Sequence, residues 1–168
     1  MFLILLNSAT WLGLALGMAI AITFAILWSC SKEDVKSTLR YEFKEALLTQ
    51  KESDFLMLLN EYRQSKGLCV LKADAFASDL AYIHNLDMIS YKITSHTGYP
   101  ERQMELIKNG ALKVGEIVGY GYSGIQGAYS AFIASDSHLK VIKGDYNAVG
   151  VDITPGDKDY YTILFIKI

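Results

Sequence analysis

The hydropathy pattern of residues 53–168 predicts an α+β domain in which helices pack on a sheet. Three observations carry that reading. Apolar residues recur at helical spacing in successive segments, a short glycine-bounded run with Ile117 and Val118 interrupts them, and the chain closes on two β-rich runs around Pro155-Gly156. About 115 residues suffice for one core.

The first domain helix is expected from Ser53, because Phe55, Leu58, Leu59 and Tyr62 fall on one face and Gly67 stands where a helix would stop. Asp74 can cap a second. Along it Ala77, Leu80, Ala81, His84, Met88 and Tyr91 recur at three and four residues and form a stripe turned to a core. A third begins near Pro100, which suits a first helical turn, and ends at Gly110, which suits a left-handed cap. The run 114–120 reads as a strand. Ser123 and Gln126 form a capping pair for a fourth helix with Ile125, Ala128, Phe132 and Ile133 on its buried face. A break at 135–137 precedes a short turn of helix carrying His138. The last two runs, 146–154 and 159–168, are rich in β-branched and aromatic residues and should pair as a hairpin.

Residues 1–30 contain no charged side chain and exceed the roughly 20 residues needed to cross a bilayer. They are membrane-directed, either as an uncleaved anchor helix or as a secretory signal that is processed. Leu27-Trp28-Ser29-Cys30 resembles a loose bacterial lipoprotein cleavage site, which makes Cys30 a candidate for lipidation. Residues 31–52 are charged and lack Gly and Pro, and read as a partly helical spacer. Lys32, Lys36, Arg40 and Lys44 would by the positive-inside rule keep their side cytoplasmic. With a formal net charge of −2 and scattered Lys and Arg, the chain has no electrostatic footprint for nucleic acid. Cys69 lies in the apolar run Leu68-Cys69-Val70-Leu71 and reads as a buried, inert thiol. If Cys30 is lipidated, Cys69 has no partner within the chain.

Candidate chemistry gathers where elements begin or end. Ser95-His96-Thr97-Gly98, Gly115-Glu116 and Ser135-Asp136-Ser137-His138 each set an imidazole or carboxylate beside small residues, and together could form one surface cleft. Two imidazoles and a carboxylate are a sufficient ligand set for zinc with an open position. No local motif such as His-Glu-x-x-His fixes them together, so a hydrogen-bonded, metal-free cluster is the alternative. Ser95 and Ser137 precede histidines without the strained turn that activates a nucleophile. His84 reads as a core or cleft-floor histidine. Tyr99, Tyr120 and Tyr122 could line the cleft or serve strand-edge packing.

Leu58-Leu59-Asn60-Glu61-Tyr62-Arg63, Lys66-Gly67-Leu68, His84-Asn85-Leu86-Asp87-Met88, Ser95-His96-Thr97-Gly98, Gly115-Glu116, 135–138 and Val149-Gly150-Val151 resemble, in order and spacing, the CAP superfamily in its bacterial SCP-like extracellular branch. The resemblance covers residues 53–168. It implies a three-layer α-β-α sandwich, a location outside the cytoplasm, and a surface cleft that in the wider family holds two histidines and two glutamates and in some members a divalent metal. The matching positions are His96, Glu116 and His138. Ser135 stands where the second glutamate is expected, Ile117 where an asparagine commonly follows the cleft glutamate, and Phe132 where the helix tryptophan stands.

The function expected from these readings is that of a membrane-anchored extracytoplasmic binding module. It would take a peptide, glycan or lipid through the His96/Glu116/His138 cleft and require no cofactor. The alternative is a metal-assisted hydrolase of cell-envelope peptide or peptidoglycan, with His96 and His138 as zinc ligands and Glu116 as ligand or catalytic base. A third is a purely structural envelope protein.

Overall fold

The computed structural model describes residues 41–168, so the apolar segment, Cys30 and residues 31–40 of the spacer lie outside the described residues. Among the described residues no helix is long and apolar enough to cross a membrane.

Helix α1, Gln50–Ser65, starts three residues earlier than expected, because Thr49 and Glu52 form a capping box: the Glu52 carboxylate accepts from Thr49 N at 2.8 Å and Thr49 Oγ1 from Glu52 N at 3.3 Å. Ahead of it, residues 41–48 are not helical. They run as a strap beside the next element, with Ala46 N donating to Ala73 O at 3.1 Å and Tyr41 Oη to Asp74 Oδ1 at 2.7 Å. Asp74 also caps helix α2, Ala75–Tyr91, accepting from Ala77 N at 2.9 Å, so one carboxylate fixes both strap and helix. Helix α3 spans Tyr99–Lys108, α4 Gly124–Ala134 and α5 Asp136–Ile142. Ser123 makes no side-chain cap on α4, against expectation.

The strands are β1, Lys72–Ala73, β2, Lys113–Tyr120, β3, Ala148–Thr154, and β4, Tyr160–Lys167, in the order β1-β3-β4-β2. The expected hairpin forms: β3 and β4 pair antiparallel from Ala148↔Ile166 to Thr154↔Tyr160. On its other side β4 takes β2, in antiparallel register from Lys113↔Lys167 to Tyr120↔Tyr160, while β1 pairs parallel with β3.

Strand alternation then sorts the side chains into two layers. Ile117, Val151, Tyr161, Ile163 and Phe165 meet Phe55 and Leu59 of α1, Phe132 of α4 and Ile142 of α5. Val114, Ala148, Leu164 and Ile166 meet Ala77 and Ala81 of α2 and Leu106 of α3. The result is a three-layer α-β-α sandwich. Gly150 allows the closest approach, since a Cβ there would collide with the Ala77 carbonyl of α2.

Cys69 departs from its expectation. It is half-buried and is not a free thiol. The run around it crosses the surface between α1 and β1, where Val70 is exposed and Cys69 O accepts from the buried Arg63 Nε at 2.9 Å.

Candidate functional site

His96 sits in the loop between α2 and α3, and the loop is held from both sides. The His84 Nε2 lies 2.8 Å from Ser95 O, and Arg102 Nη1 donates to Thr97 O at 2.9 Å. Gly98, at φ 75°, turns the chain into α3 through a conformation that side chains resist.

From that loop His96 Nδ1 reaches Glu116 Oε1 at 2.8 Å. Glu116 projects from β2 into the α2/α3 layer, and its side chain is only 1% exposed. A carboxylate so placed needs compensation. Arg102, one turn into α3, supplies it: Nε donates to Oε2 at 2.8 Å, and Nη2 lies 2.6 Å from the same oxygen. Both carboxylate oxygens are therefore engaged. His96 remains open, with 53% of its side chain exposed. With Nδ1 turned to the carboxylate, Nε2 is the ring nitrogen left to meet a partner.

His138 approaches from the opposite layer. Its ring stands edge-on to Phe132, centroids 5.0 Å apart, and its Nδ1 is buried without a hydrogen-bond partner among the described residues. Burial, and then the charge of nearby His96, hold its imidazole below the ordinary histidine range. The sequence-derived trio thus comes together unevenly. His96 and Glu116 touch, whereas His138 neighbours His96 without a bond to either. Ser135 lies at the junction of α4 and α5 with its Oγ 3.1 Å from Ser137 Oγ, and supplies no second carboxylate.

The donor set does not fit a zinc centre built from His96, Glu116 and His138. Glu116 already meets a guanidinium and an imidazole, so it could serve as a third ligand only by sharing or giving up one of those contacts. Among the described residues no three His, Cys, Asp or Glu side chains gather in a metal-holding arrangement.

One feature escaped sequence reading. Arg102 has no motif of its own; the signal was a buried carboxylate on a strand, which demands a cation nearby. His84 is the core or cleft-floor histidine expected: it is 2% exposed, its Nε2 meets Ser95 O, its Nδ1 has no hydrogen-bond partner among the described residues, and burial followed by the nearby Arg102 charge lowers its pKa. Beside it Asn85 donates to Asp152 Oδ1 at 2.6 Å and accepts from Thr162 Oγ1 at 2.6 Å, bracing α2 on the sheet.

Comparison with known proteins gives these residues a context. The uncharacterized membrane protein YlbC of Bacillus subtilis is 29% identical over 124 residues, which is 71% of this chain but 35% of that protein, so the chain spans about a third of its length. An extracellular protein with an SCP domain from Bacillus anthracis superposes with a TM-score of 0.64 at 22% identity, covering 74% of this chain and 45% of that one. An outer surface protein from Borrelia burgdorferi gives 0.65 at 16%, covering 74% and 98%. A cysteine-rich secretory protein from Staphylococcus aureus gives 0.59 at 20%, covering 74% and 42%. At these identities the structural likeness speaks to fold. The sequence profile of the cysteine-rich secretory protein family matches residues 56–167, and the chain belongs to that family, CAP.

Proposed function

We propose that this chain is an extracytoplasmic binding module, held at a membrane by its N-terminal apolar segment, whose ligand docks on the exposed His96 face of the cleft. The observation that carries the reading is the double engagement of Glu116 by His96 and Arg102. A carboxylate spent in this way organises a surface and leaves His96 Nε2 to meet a ligand. The location rests on likeness to a membrane protein and to extracellular and outer-surface proteins.

The test is retention of the full-length chain, in detergent, on three probes: a random heptapeptide array, purified peptidoglycan fragments and lipid vesicles. His96→Ala should lose retention by about tenfold on whichever probe holds the wild type, with the melting temperature unchanged. Equal retention by both proteins, or loss only through unfolding, would contradict it.

A further inference from the structure

We infer that the occupant of the cleft is an extended peptide that pairs with the free edge of β2 as an added strand; this rests on the binding reading above and names its ligand. Among the described residues, strand β2 is outermost in the sheet and is paired only with β4. Just past it, Gly121 N donates to Asp159 O at 3.1 Å in the same register, so the odd-numbered residues of β2 turn their backbone groups toward β4. The even-numbered ones turn theirs away.

A side-chain contact agrees with that phase. The Val114 carbonyl accepts from Tyr99 Oη at 3.1 Å, which closes the outer edge at its first position. From Glu116 through Val118 to Tyr120, no hydrogen bond to the outward N–H and C=O groups occurs among the described residues. Glu116 keeps 6% of its surface accessible while its side chain keeps 1%, so the backbone contributes to what solvent reaches. Backbone groups in this state are a template for pairing.

The surroundings fit a strand lying along that edge. His96 flanks it on the α2/α3 side and α5 with His138 on the other. At the Tyr120 end, Ile89, Lys92, Thr94, Tyr120, Asp157 and Tyr160 line a cavity of about 240 Å³, room for a peptide side chain. Outward groups recur every second residue, roughly 6.6–6.8 Å apart. An extended peptide offers donors and acceptors at that repeat, which a sugar chain or an acyl chain does not.

The test uses heptapeptides captured by the full-length chain from a random array. Val118→Pro removes one outward N–H from the unpaired side of an edge strand, where proline is tolerated. Affinity for captured peptides should fall about tenfold while the fold persists. On the wild type, N-methylation of the captured peptides should abolish binding at alternate positions only, a result that does not depend on the variant folding. Capture of no heptapeptide, unchanged affinity in Val118→Pro, or tolerance of N-methylation in both phases would each overturn strand addition. A dimer of the chain lost in Val118→Pro, with no peptide captured, would overturn it in favour of a second copy. If captured peptides bind Val118→Pro normally but are lost in His96→Ala, strand addition fails and the cleft reading stands; if they bind both variants normally, both fail.

Discussion

The two faces of the sheet solve the burial problem differently. Against α1, α4 and α5 the layer is largely aromatic and aliphatic, with Phe132 making ring contacts to Phe55, Tyr122 and Tyr161. Against α2 and α3 the same sheet turns Glu116 and Thr162 toward His84 and Asn85 of α2 and Arg102 of α3, all buried and polar. The first face stabilises by excluding water; the second is held by a network that is costly whenever a member is left unpaired. The proposed cleft lies where these two layers meet at the β2 edge; on that reading the polar face shapes a surface as well as filling a core.

The largest effect should come from unbalancing the polar face. Arg102→Ala leaves the Glu116 carboxylate buried without its cation and should cost about 3–5 kcal/mol in denaturant unfolding. Adding Glu116→Leu to Arg102→Met should restore most of that stability, since an apolar pair can replace a buried ion pair, while His96 loses its anchor and ligand retention falls. If the double variant keeps full binding, the polar face is merely structural. Phe132→Ala on the other face should cost a similar amount, about 3–5 kcal/mol, but no partner substitution should recover it.

A smaller effect, on pH dependence, draws on both faces. His84 and His138 have imidazoles held below the ordinary value of 6.5, chiefly by burial. Below about pH 6.5 the unfolded chain takes up these protons before the folded one does. Stability should therefore be flat above that pH and fall on acidification until the folded pKa values are passed, by at most about 1.4 kcal/mol per pH unit for each proton. Thermal melts of His84→Gln should show a shallower acid slope, and an unchanged slope would remove His84 from the account. The smallest effect belongs to the strap. Leu47 is fully exposed, and Leu47→Ser should shift stability by no more than about 0.5 kcal/mol.

Much of the fold was legible because period and punctuation agreed. Asp74 before an apolar stripe, Pro100 at a helix start and the β-branched run at the chain's end each state a local preference that packing did not override. The strap was misread because residues 41–48 have helix-forming composition, while their backbone is claimed by Asp74 and Ala73, a tertiary effect without local signal. The site was half legible. Small residues around His96 and Glu116 marked the loop and strand, but spacing could not show that a helix away Arg102 occupies the carboxylate. Nor could it show that His138 packs on Phe132.

The central claim is that Glu116 organises the cleft without serving as a metal ligand or base. Thermal melts of the full-length chain and of Glu116→Gln, with and without zinc, test it most directly, because a bound metal must raise the stability of the folded state. Any shift produced by zinc should be equal in the two proteins. A zinc-dependent rise in the wild type that disappears in Glu116→Gln would contradict the account and restore the metal-assisted alternative.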